Sequence, residues 1–207
     1  LQKEQAMETY FYLADRWEIN DRLSVSAGLR YMMFNSMGPR TYSLYDPTFL
    51  PSEGTETETK TVNGFRAFKT YHAPEIRLSA RYAFDGDFSV KAGFNTLQQN
   101  IHKLSNTTIM SPTDTWKLSD ANIKPQKGMQ VAAGLYKNFM GNSIETSIEA
   151  YYKTMKDYLD YRSGAQLTMN HHIETDVIST QGKAYGVELM VKKTQGKLNG
   201  WVSYSYS

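Results

Sequence analysis

The chain contains no cysteine among its 207 residues. That excludes a disulfide framework and any thiolate metal site. No apolar run approaches the ~18 residues that a membrane-crossing helix requires. There is no charge of one sign to speak of: 23 Lys+Arg stand against 21 Asp+Glu, a net +2. The concentrated basic stripe that marks a nucleic-acid partner is therefore missing. Leu1 to Tyr10 lacks the basic start, apolar stretch and small-residue cleavage site of a signal peptide. No Ser-His-Asp spacing, P-loop or dinucleotide fingerprint is present, so the residues point to no enzyme chemistry. Mean hydropathy is low, at −0.55. This does not exclude a membrane protein, because only alternate residues of a barrel strand face lipid.

What is there is aromatic side chains and alternation. Aromatics make up 13% of the chain, with 15 Tyr against 9 Phe and 3 Trp; a tyrosine excess suits membrane interfaces, where a ring is half apolar and half wet, as well as plain strand propensity. Leu23, Val25, Ala27, Leu29, Tyr31 and Met33 alternate with Ser24, Ser26, Gly28 and Arg30. Ile76, Leu78, Ala80 and Tyr82 alternate with Glu75, Arg77, Ser79 and Arg81, and Ile144 to Tyr152 repeats the pattern. Period-2 alternation gives each strand one apolar and one polar face.

The spacing predicts eight strands in pairs: Glu8–Ile19 with Leu23–Phe34, Glu75–Phe84 with Phe88–Gln99, Met129–Met140 with Ser143–Tyr161, and Lys183–Lys193 with Leu198–Ser207. Within each pair the connection is short, at Asn20-Asp21-Arg22, Asp85-Gly86-Asp87, Gly141-Asn142 and Thr194-Gln195-Gly196-Lys197. Asp-Gly is a strong hairpin signal. Between pairs the connections are long: Asn35–Tyr71, Ser105–Gly128 and Arg162–Gln181. The Thr/Glu run Thr55–Thr61 is too polar for a core and is expected to be mobile. Strict alternation of tight turns and long loops is the rhythm of an outer-membrane β-barrel. The fold class is accordingly all-β, an antiparallel up-and-down meander of about eight strands forming part of a larger transmembrane barrel.

The faces follow. Val131, Ala133, Leu135, Phe139, Val187, Leu189 and Val191 should meet lipid, together with Ile76, Leu78 and Ile148. Glu75, Arg77, Arg81, Glu145 and Glu149 should face a wet lumen, with Gln130, Tyr136, Asn138, Glu188, Lys192 and Lys193 in the lumen or at a rim. Asp15 shares a face with Phe11 and Leu13 and is expected at the periplasmic rim near Trp17, since a charge at mid-bilayer costs ~2–4 kcal/mol.

An ordered series of short motifs carries a family resemblance. It runs Ile101-His102-Lys103-Leu104-Ser105-Asn106, Ser111-Pro112-Thr113-Asp114-Thr115-Trp116 and Asn122-Ile123-Lys124-Pro125-Gln126. It continues through Gly134-Leu135-Tyr136-Lys137-Asn138-Phe139, Glu149-Ala150-Tyr151-Tyr152-Lys153, Ala184-Tyr185-Gly186-Val187-Glu188 and Gly200-Trp201-Val202-Ser203-Tyr204-Ser205. From Tyr71 to Ser207 the chain resembles the barrel of TonB-dependent outer-membrane receptors of the Bacteroidetes type. Gln126 and Ala132 stand where the wider family often has glutamates, which suggests a subfamily. The resemblance implies a bacterial outer-membrane location and a barrel of ~22 strands around an N-terminal plug. Residues 1–207 would then be a fragment of the barrel, with the plug outside it. The chain stops in mid-alternation at Tyr204-Ser205-Tyr206-Ser207, which fits that expectation. The partners implied are outer-membrane lipid, the remaining strands and plug, TonB through the plug region, and a scarce nutrient: a metal chelate, cofactor, glycan or peptide. No cofactor, catalytic residue or nucleic acid is implied.

Recognition on a barrel belongs to its loops. The candidate ligand-binding residues are His102, Trp116, His171 and His172. His171-His172 with Glu174 resembles a metal-ligand cluster, but a solvated polar loop accounts for it equally well, and no metal is assigned. Two other readings of the whole chain stay open. One is a small eight-stranded barrel serving as adhesin or structural anchor; the other is a soluble β-sandwich binding module, against which the turn-loop asymmetry argues.

Overall fold

The computed structural model describes residues 3–104, 115–165 and 170–207. Eight long strands form one antiparallel sheet: β1 (Gln5–Asn20), β2 (Leu23–Met37), β5 (Ala67–Ala83), β6 (Phe88–Gln99), β9 (Gln126–Phe139), β10 (Ile144–Tyr161), β11 (Val177–Lys193) and β12 (Gly200–Tyr206). They lie in sequence order, so the up-and-down meander is observed directly. The sheet is open, with β1 and β12 as its two edges.

The connections differ from expectation. The first long loop contains a second hairpin, β3 (Arg40–Tyr45) with β4 (Glu56–Val62). The Thr/Glu run is therefore a strand rather than irregular chain. It needs no core, because β-branched threonines favour extended backbone and cross-strand pairs such as Thr41 and Thr61, with hydroxyls 2.9 Å apart, hold it. Another short hairpin, β7 (Ile101–Leu104) with β8 (Thr115–Leu118), rises from the second loop. Ser105 to Asp114 of that loop, and residues 166–169 of the next, lie outside the described residues. Strands β5, β9 and β11 each begin earlier than their apolar alternation suggests, at Ala67, Gln126 and Val177. Ladder hydrogen bonds extend past the point where one face stops being apolar.

The short turns gather at one end. Asn20 and Asp85 each use a side-chain oxygen to hold the turn that follows: Asn20 Oδ1 accepts the N–H groups of Arg22 and Leu23, and Asp85 Oδ1 those of Asp87 and Phe88, at 2.6–2.9 Å. The turn after β9 runs through left-handed backbone at Met140, Gly141 and Asn142. Backbone bonds from Ala83 to Arg22, Asn138 to Asp87 and Thr194 to Ser143 tie neighbouring turns together.

Register explains the faces. One row across the ladder reads Leu23, Tyr82, Val90, Leu135, Ile148, Leu189, Tyr204. The next reads Ser24, Arg81, Lys91, Gly134, Glu149, Glu188, Ser205. The apolar face is the exposed one: Leu135 is 46% accessible, Ile148 49%, Leu189 40% and Val191 51%, while Ser147 on the polar face is buried. A water-soluble sheet does the opposite. The predicted outward and inward sets thus separate as expected, with Lys193 paired to Ile144 beside a turn. Asp15 lies in the half of β1 nearer the tight turn, close to Trp17. It pairs with Ala27 on the apolar face, and its carboxylate accepts the N–H of Arg16 at 2.7 Å.

Candidate ligand-capture surface

At the end opposite the tight turns the sheet splits. The β5–β6 ladder stops at Arg77–Asn95, although β5 continues to pair with β2 as far as Ala67 and β6 with β9 as far as Gln99. Pro74 keeps the two strands from pairing again. Ile76 directs its N–H toward β6, donating to Thr96 Oγ1 at 2.9 Å. Alternate residues of an antiparallel strand direct their N–H groups to the same neighbour, so position 74 should also donate to β6. Proline has no N–H. Side chains bridge the gap in place of backbone: Glu75 Oε1 accepts the Gln98 N–H at 2.8 Å.

Beyond the split, the three long connections converge on one another. The β7–β8 hairpin and the chain after it dock through a buried charge network. Arg40 donates to Glu4 at 2.7 Å and approaches Asp120 at 3.4 Å. Lys117 pairs with Asp120 at 2.6 Å and also with Glu4. Two cations meet two carboxylates, each no more than 14% exposed, so the charges balance where water is scarce. Glu4 Oε2 also accepts the Leu118 N–H at 2.9 Å. Ser36 Oγ donates to the Ser119 carbonyl, and Tyr71 Oη to the Asp120 carbonyl, each at 2.6 Å.

Burial alone would push the Asp120 carboxyl up, but the Lys117 and Arg40 charges and the Ile123 N–H outweigh it and hold it below the usual range. A small apolar cluster closes the assembly: Leu104, Ile123, Ile173 and Val177, flanked by Leu159 and Tyr161. The β3 strand joins it through Asn122 Nδ2, which donates to the Ser43 carbonyl at 2.9 Å, and through Tyr45 Oη, which donates to Glu174 Oε1 at 3.2 Å.

The four sequence-predicted residues take different places on this platform. Trp116 is 66% exposed on β8. His102 lies one pair along on β7, opposite Lys117, and is buried, with Nε2 3.0 Å from Ser119 Oγ. Burial and the Lys117 charge push its pKa down, against the pull of Asp120. His171 and His172 are exposed beside the short 3-10 turn Ile173–Thr175, and His172 Nδ1 lies 3.5 Å from Glu174. Ile173 brings this turn against Leu104, so the histidine pair and the β7–β8 hairpin share one surface. Among the described residues, no three His, Asp or Glu side chains gather as a metal site would require. Of the residues that hold the platform together, Lys117 and Asp120 are three apart in sequence, but Glu4 and Arg40 carry no local signal, because they meet that pair only after the loops fold back.

Inside the wall below, Arg30 lies between Glu8 at 3.7 Å and Glu75 at 3.9 Å, with its guanidinium 4.3 Å from the centre of the Tyr10 ring. This presents charge and aromatic surface to the polar side of the sheet.

Comparison with known proteins agrees with this geometry. Residues 2–207 match the family described as TonB dependent receptor-like, beta-barrel. No curated protein sequence matches the chain. Among solved structures, the FrpB iron transporter from Neisseria meningitidis superposes with a TM-score of 0.60 at 15% identity, over 99% of this chain and 26% of that one. The ferripyoverdine receptor of the outer membrane of Pseudomonas aeruginosa gives 0.56 at 11%, over 98% and 23%. The copper transporter OprC gives 0.56 at 16%, over 97% and 29%. The chain spans about a quarter of the length of these structures, and at such identities the likeness is one of fold. The exposed apolar face, the turn-loop polarity and the match over nearly every residue agree: this chain belongs to the TonB-dependent receptor β-barrel family.

Proposed function

We propose that these residues form part of the wall and extracellular mouth of a bacterial outer-membrane TonB-dependent receptor of the Bacteroidetes type, which imports a scarce nutrient. The observation that carries the reading is the inverted sheet, apolar outside and polar within, crowned at one end by a platform of converging loops. A plug, further barrel strands and TonB complete the transporter on this reading, and the role is non-enzymatic. Trp116, His171 and His172 offer exposed aromatic and imidazole surface for capture, while His102 sits beneath them and positions the hairpin. Structural neighbours carrying iron, ferripyoverdine and copper make metal chelates the first class to test, ahead of cofactors, glycans and peptides.

The test is made on the full-length receptor in its own outer membrane. Heat-modifiable migration establishes the barrel. Uptake of a panel of iron-55 chelates and copper-64 complexes is then compared in wild type, a receptor deletion, a strain lacking TonB, and Trp116→Ala. Loss of one solute's uptake in the first two mutants, and its reduction in the third, supports the reading. A heat-modifiable receptor whose deletion and whose TonB dependence change uptake of no solute would favour the anchor or adhesin role instead.

A further inference from the structure

The cleft opened by the β5–β6 split holds about 380 Å³ and is lined by His72, Pro74, Thr96, Lys127, Thr154 and Lys156 among others. By ladder register these six lie on the apolar, outward side of the sheet. Lys127 stands directly opposite Lys156, and Lys183 lies across from Thr154 on the next strand. All three lysines are exposed. Like charges directly opposite on one face repel, and among the described residues none of the three has an ion-pair partner. The one carboxylate in the cleft, Glu75, is turned to Arg30 and the Gln98 N–H. His72 Nδ1 is held by Tyr31 Oη at 2.8 Å, which leaves its Nε2 for another partner.

Position adds the second argument. Below the lysines the same face carries Tyr152 and Tyr185, then Val131, Ala133, Val187, Leu135 and Leu189. This is an interfacial aromatic girdle above an apolar band. The cations thus lie at the height of lipid headgroups, on the end that bears the long loops.

We propose that this cleft binds the phosphorylated headgroup of an outer-leaflet lipid, with Lys127, Lys156 and Lys183 meeting the phosphate and the acyl chains lying down the apolar band. The anion resolves the Lys127–Lys156 repulsion that the register imposes. The proposal rests on the outer-membrane reading above.

The intact receptor is purified in detergent, and binding of lipid A bearing two phosphates, or none, is followed by native mass spectrometry. The triple variant Lys127→Gln, Lys156→Gln, Lys183→Gln is compared with Lys137→Gln, a control on the same face near the turns. At roughly fivefold per cation, the triple variant should bind the phosphorylated lipid about a hundredfold more weakly. The control should bind it as wild type does, and the unphosphorylated lipid should not distinguish the proteins. Equal binding by the triple variant and wild type overturns the proposal. So does complete displacement of the lipid by millimolar inorganic phosphate, which would mark a free-anion site. Heat modifiability is scored first. A wild-type receptor that never assembles as a barrel refutes the outer-membrane reading, whereas an assembled barrel indifferent to the lysines refutes only the lipid site.

Discussion

Tyr151 stands directly across the β10–β11 ladder from Gly186, and its ring occupies the space a side chain at 186 would need. A Cβ there would lie 3.0 Å from the ring's Cε1 and Oη and 2.7 Å from the Tyr206 carbonyl oxygen. An aromatic ring laid over a glycine in a neighbouring strand pins register while filling the gap the glycine leaves. Gly186→Ala should therefore destabilise the barrel by ~1–3 kcal/mol through overpacking, read as the urea midpoint of the folded, heat-modifiable receptor. Adding Tyr151→Ala should recover only part of the loss, because the Tyr206 carbonyl remains. Full recovery would place the whole clash in the ring.

The two faces should respond oppositely to charge. Leu189→Arg puts a cation on the exposed apolar face and should cost ~2–4 kcal/mol near mid-bilayer, impairing assembly. Arg77→Glu lies on the polar face, where water and neighbouring charges accommodate it, and should assemble normally. The measurement is the heat-modifiable fraction in isolated outer membranes. The reverse pattern would mean that inside and outside have been exchanged.

Removing one member of the buried network should cost more than removing a surface ion pair. Lys117→Met leaves the Glu4 and Asp120 carboxylates short of a cation and should weaken docking of the β7–β8 hairpin by ~3–5 kcal/mol. Combining it with Glu4→Gln restores a one-to-one balance with Arg40 and should return part of that loss. Protease susceptibility around Trp116 in the intact receptor reports both.

Acid should loosen the same hairpin. His102 has its pKa lowered from 6.5 on docking, and Asp120 is held below 3.8. In both cases the undocked state binds protons more readily. The stabilisation is complete above the ordinary values and is lost as pH falls, first below about 6.5 through His102 and then below about 3.8 through Asp120. The difference in fluorescence between the intact receptor and its Trp116→Phe variant should show a transition starting below pH 6.5. His102→Asn should abolish the first step and leave the second.

Local pattern was enough to read most of the wall. Alternation named the eight long strands, which residues share a face, and the turns at Asn20, Asp85 and Gly141, since a pleated strand's period and a turn's backbone are set by neighbours in the chain. The Thr/Glu run misled because polarity on both faces argues against a core but not against a strand in an exposed hairpin.

By itself, then, the sequence determined the strand order, the apolar and polar faces, the turns and the family. Only the tertiary structure decided what the loop end does with its charges. Glu4, Arg40 and the local pair Lys117–Asp120 are brought together from three distant segments, and nothing near any one segment marks the other two. It also decided the Pro74 split and the Lys127–Lys156 opposition. A proline breaks a ladder only when its missing N–H faces a neighbour, and two lysines repel only in the register that sets them side by side.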